Sequence, residues 1–126
     1  MKRFTCLIGA TMLLAMLTAA PISSQQLPPG VKVQVVQQFS PSVFPGAKSV
    51  TQYLFTLEPG ARLDDFTPPG LSLCTALAGA AKVTFKDGKT VIRKAGDQSI
   101  EEKGVPFSMV NEGKVAFVDS FFQIVY

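Results

Sequence analysis

Residues 31–39 read VKVQVVQQF, apolar and polar side chains alternating with a period near two, and residues 50–57 read VTQYLFTL, rich in β-branched and aromatic residues. Both segments are predicted strands. Pro59-Gly60 ends the second, Pro68-Pro69-Gly70 interrupts the next stretch, and residues 71–78 form another apolar run closed by Gly79. Residues 82–85 and 90–93 flank Asp87-Gly88, a pair that tolerates positive φ and therefore predicts a tight hairpin. Gly96-Asp97 marks a further turn. Residues 107–110, 115–118 and 121–125 complete the predicted strands, with Glu112-Gly113 as a hairpin between the first two. Many short strands with closely spaced turns indicate an all-β sandwich or small barrel rather than a βαβ sheet. The proline-bearing stretches at 25–30 and 40–46 cannot enter a central ladder, so they read as an arm and a connecting loop.

The N-terminus breaks this pattern. Met1, Lys2 and Arg3 precede an apolar run from Phe4 to Ala20, the basic n-region and h-region of a secretory signal peptide. A transmembrane helix needs about 20 apolar residues, and Pro21, Ser23, Ser24, Gln25 and Gln26 cut this one short. Pro21 obstructs cleavage after Ala20, so cleavage is expected after Ser24, leaving a secreted or periplasmic chain without stable membrane insertion; an uncleaved anchor is the alternative. With 126 residues the chain has room for one domain: a signal peptide at 1–24, an arm, strand and Pro-rich loop at 25–49, and a β-barrel at 50–126. Loss of Lys2 and Arg3 reduces 12 basic residues to 10 against 9 acidic ones. No basic run remains that could neutralise successive phosphates, which excludes nucleic acid as a partner. Cys6 leaves with the signal, so Cys74 has no intramolecular disulfide partner and reads as a small buried hydrophobe. The absence of His excludes imidazole general bases and His-ligated metal sites.

From about Val50 to Val125 the turn spacing resembles the cupin family of small β-barrels. The first cupin motif is a Gly, five residues, His, one residue, His, three or four residues, Glu, six residues, Gly. Counted from Gly60, those positions are Phe66, Pro68, Ser72 and Gly79. The second motif is a Gly, five residues, Pro, one residue, Gly, two residues, His, three residues, Asn; counted from Gly96 it meets Glu102, Gly104, Phe107 and Asn111. The resemblance implies a jelly-roll barrel with the two motifs as facing hairpins around a central pocket. It also implies pairing through an exchanged N-terminal strand, for which residues 31–39 are the candidate.

Metal-binding cupins hold their ion with three His and one Glu, and here Phe66, Pro68, Phe107 and Ser72 stand in those places, so no metal and no cofactor is expected. A displaced oxygen site from Asp64, Asp65, Glu101 or Glu102 is the alternative to solvated turn charges. Phe66 and Phe107 should meet where the metal would sit. Strand alternation puts Cys74 and Ala76 on the face of Ser72, and Met109 on the face of Phe107. Either these side chains fill the barrel as core, or they line an apolar cavity in which Ser72, Cys74 and Asn111 supply the polar contacts. The expected function is a metal-free module binding a small apolar or aromatic molecule, or a protein partner. The alternatives are a metal-independent isomerase or cyclase using Asp64, Asp65, Glu58, Tyr53 or Cys74, and a purely structural unit.

Overall fold

A computed structural model describes residues 26–126; the expected signal peptide lies outside them. Nine strands follow in order: β1 (Val31–Phe39), β2 (Ser49–Leu57), β3 (Arg62–Phe66), β4 (Leu71–Ala78), β5 (Ala80–Phe85), β6 (Thr90–Lys94), β7 (Gln98–Glu101), β8 (Phe107–Val110) and β9 (Phe117–Val125). They form a five-stranded sheet in the order β1-β2-β9-β4-β7 and a four-stranded sheet in the order β3-β8-β5-β6. The architecture is all-β, as the alternation and turns predict, but it is an open two-sheet sandwich and not a closed barrel. At Gly96-Asp97 the chain leaves one sheet and enters the other, with Gly96 donating to the Ala76 carbonyl and Ala76 to that of Asp97. β6 and β7 therefore end different sheets, and the ladder is not continued across that side.

Two local expectations are corrected, the first of them by the same sheet switching. Glu112-Gly113 is not a hairpin, because β8 pairs with β3 and β5 while β9 pairs with β2 and β4. The segments at 115–118 and 121–125 are not separate strands: β9 runs unbroken from Phe117 to Val125 through the polar pair Asp119-Ser120. β3 and β7 carry adjacent charges or few apolar residues and give no strand signal in the sequence. Asp87-Gly88 does close the β5-β6 hairpin.

Phe55, Leu57, Ala76, Ala81, Val83, Phe107, Met109 and Phe117 pack between the sheets with Val31. The four motif glycines, Gly60, Gly79, Gly96 and Gly104, all have positive φ. At Gly79 the demand is double, since a Cβ would also lie 2.3 Å from the Ala116 carbonyl oxygen, so any side chain there must displace the backbone that leads into β9.

Candidate functional site

The interior between the sheets is not filled. A cavity of about 420 Å³ is walled by Val31, Val33 and Phe55 from one sheet and by Leu63, Phe66, Phe107 and Met109 from the other. Gln26, Leu27 and Pro28 of the N-terminal arm form part of its rim. Ser72, Glu101, Asp119 and Phe121 line it from the five-stranded sheet. In β3 the register shifts between Leu63 and Phe66, and this irregularity brings Asp64 and Asp65 to the cavity. Asp65 has φ 49, and its N–H donates to Ser108 Oγ at 3.0 Å. Phe66 sits opposite Phe107 in the β3-β8 ladder, and their rings meet edge to face at 5.6 Å.

Beside the aromatic wall lies an ion network joining the two sheets. Arg93 on β6 is buried and donates from Nη2 to both Asp119 oxygens on β9, at 3.1 and 3.2 Å. Its Nη1 donates to Glu101 Oε1 on β7 at 3.1 Å. Both carboxyls line the cavity, and Glu101 also borders, with Arg93, a second space of similar size beneath the open β6-β7 side. Desolvation pushes Glu101 up to about 7, against the opposing pull of Arg93, with the Asp119 charge adding to the rise. Burial also raises Asp119, and Arg93 lowers it. The Cys74 thiol is pushed up to about 12 by burial, then by the charges of Glu101 and Asp119, so it stays protonated near neutral pH.

Of the six residues singled out from the sequence, Phe66, Ser72, Phe107 and Met109 line the cavity. Cys74 and Asn111 do not line it. Cys74 points inward from β4 beneath Glu101, buried and paired in register with Phe121 and Ser99. The Asn111 amide is fully taken up by backbone: Nδ2 donates to the carbonyls of Leu57 at 2.9 Å and Val115 at 2.8 Å, and Oδ1 accepts from the Gly113 N–H at 2.9 Å. It fastens the connection between β8 and β9 to the end of β2. Arg93 and Asp119 escaped the sequence reading because Arg93 is a single charge at the end of a predicted strand and Asp119 fell between two predicted strands, inside what is the single strand β9. Phase could have found one of them: Asp119 shares the inward face of Phe117 and Phe121.

The donor chemistry does not fit the metal that the cupin resemblance would imply. Phe66, Pro68 and Phe107 offer no ligand atom and Ser72 only a hydroxyl, and among the described residues no group of three or more Cys, Asp or Glu could hold a metal ion. Of the oxygen-site alternatives, Glu102 does not line the cavity with Asp64, Asp65 and Glu101. Of the acid–base alternatives, neither Glu58 nor Tyr53 lines it; Glu58 instead pairs with Lys32 at the surface and Tyr53 stacks on Phe121 at 5.0 Å.

No family model matches the chain, and no curated protein matches it in sequence. Solved structures do match in fold. A cupin domain from Bordetella pertussis superposes with a TM-score of 0.62 at 16% identity, over 80% of this chain and 99% of its own. A cupin superfamily protein from Desulfitobacterium hafniense gives 0.62 at 16%, over 86% and 94%. The polyketide cyclase RemF from Streptomyces resistomycificus gives 0.63 at 11%, over 79% and 68%.

Proposed function

With the cupin fold as the premise, we propose that this chain is an exported, metal-free module that binds one small, largely apolar molecule between its two sheets. The observation that carries this reading is the largely apolar cavity of about 420 Å³ on whose wall the Phe66 and Phe107 rings meet edge to face. That volume falls in the range of small-molecule sites, in which apolar walls supply affinity and a few polar groups set orientation. Ser72, Glu101 and Asp119 are those polar groups here.

Titration with N-phenyl-1-naphthylamine, a neutral apolar fluorophore, tests the reading. Saturable enhancement at one site per chain is expected, and its loss on filling the cavity by Met109→Trp. A linear, unsaturable signal from the native chain would overturn it. Export after cleavage at Ser24 belongs to the same reading and is checked by intact mass of the released protein. Pairing of two copies along β1 is checked by light scattering.

Glu101 favours a second reading, a metal-independent isomerase or cyclase. A carboxyl held at about 7 beside an apolar cavity is suited to moving a proton near neutral pH. Proton exchange into a bound carbon acid, lost in Glu101→Gln, would separate an enzyme from a binder.

A further inference from the structure

The cavity reading fixes the apolar body of the ligand, and the charge around the cavity bears on its head group. Every charged residue lining the cavity is acidic: Asp64, Asp65, Glu101 and Asp119, four of the nine Asp and Glu in the chain. No Lys or Arg lines it. Overall charge does not account for this bias, since the full chain carries 12 basic residues against 9 acidic ones.

Arg93 is the nearest cation, and it stands behind the wall, donating to Glu101 and Asp119 at once. Two carboxylates share one guanidinium, so the buried cluster has one negative charge in excess when both are ionised. A charge in that setting must be relieved either by taking up a proton or by gaining a counter-charge. The groups that act on Glu101 are Arg93 on β6, Asp119 on β9 and Cys74 on β4, while β8 presents the Phe107 ring. None of them supplies a second cation; Glu101 is approached from the cavity and also from the second space beneath the open β6-β7 side, whose lining includes Lys89.

Resting on the cavity reading, we propose that the ligand is an apolar or aromatic molecule bearing a protonated amine, its ammonium paired with Glu101 and its body packed against Phe66, Phe107 and Met109. Asp64 and Asp65 favour entry of a cation, and the same charges disfavour an anionic ligand. The proton held by Glu101 in the empty cavity, where burial brings the group to about 7, is displaced when the ammonium arrives.

Isothermal titration of the full chain with 2-phenylethylamine, 2-phenylethanol and 3-phenylpropionate compares the three head groups on one body. At pH 8 the amine is expected to bind at least about tenfold more tightly than the alcohol, with the carboxylate weakest. At pH 6, where a group titrating near 7 is about one-tenth ionised, amine affinity should fall roughly tenfold while that of the alcohol stays constant. Titration of the amine near pH 7 in two buffers of different ionisation enthalpy should reveal proton release. Glu101→Gln should narrow the amine-to-alcohol ratio to below threefold; the pH series on the native chain probes the same carboxyl without a variant. Equal binding of amine and alcohol, or a ratio unchanged between pH 6 and 8, would overturn the head-group assignment and leave the cavity reading standing. Binding by none of the three, together with no saturable naphthylamine signal, would remove both.

Discussion

Phe107→Ala tests the register on which the site depends. Phe107 is 6% exposed, belongs to the core cluster and touches the Phe66 ring edge to face at 5.6 Å. Burying an aromatic side chain removes about 150 Å² or more from water, which at ~25 cal/mol/Å² is worth roughly 4 kcal/mol. The ring pair adds about 1 kcal/mol. Against this, one side of the ring already faces a cavity and has no packing to lose, and the retained Ala Cβ keeps part of the burial. The expected loss is therefore near the lower end of the ~3–5 kcal/mol range for buried Phe→Ala. For a domain of about 100 residues, at 4–8 °C per kcal/mol, that lowers the melting midpoint by roughly 12–24 °C. Thermal and urea unfolding of the native chain, Phe107→Ala, Phe66→Ala and the double variant measure this. The two single losses should exceed the double loss by about 0.5–1.5 kcal/mol, the coupling of the ring pair. A midpoint shift below ~3 °C, or strict additivity, would show that Phe107 does not pack on Phe66 and that the second motif is out of register.

Three further outcomes are expected from the ion network and the Asn111 clasp. Arg93→Ala leaves Glu101 and Asp119 without their shared cation, and breaking a buried ion pair costs about 3–5 kcal/mol; because both carboxyls can then protonate, the loss in urea midpoint should be smaller at pH 5 than at pH 8, and equal losses would refute the network. Glu101 has a folded value of about 7 against an ordinary 4.5, so its stabilising contribution is fully present below pH 4.5 and is lost as pH rises through 7; the fall in urea midpoint from pH 5 to 8 should flatten in Glu101→Gln, and an unchanged slope would assign it to other groups. Asn111→Ala removes the partner of the Leu57 and Val115 carbonyls and of the Gly113 N–H; only the Leu57 bond is buried, so at about 1–3 kcal/mol per unsatisfied buried group the variant should lose at least ~1 kcal/mol in urea while leaving naphthylamine affinity unaltered; a change in affinity would put Asn111 back in the site.

The residues of β1, β2, β4, β6 and β8 announce themselves as strands because alternation and turn chemistry are local properties, readable wherever Gly or Pro bounds an apolar run. Positive φ at Gly60, Gly79, Gly96 and Gly104 is legible for the same reason, as is the place of Phe66 and Phe107 within the motif spacing. Pairing partners are not local. Nothing in the sequence near Glu112-Gly113 distinguishes a hairpin from a crossing between sheets, and nothing near Gly96 tells whether β6 and β7 close a barrel or leave it open. Asn111 keeps the motif position but turns its amide to three backbone groups, two of them on residues close in sequence and one 54 residues away. Arg93, Glu101 and Asp119 are separated by 8 and 26 residues along the chain, and only the stacking of two sheets brings them together. Periodicity therefore determines which residues face inward, while the chemistry of the cavity depends on long-range contacts, because the neutralisation of a buried charge is decided by whichever strand the fold lays beside it.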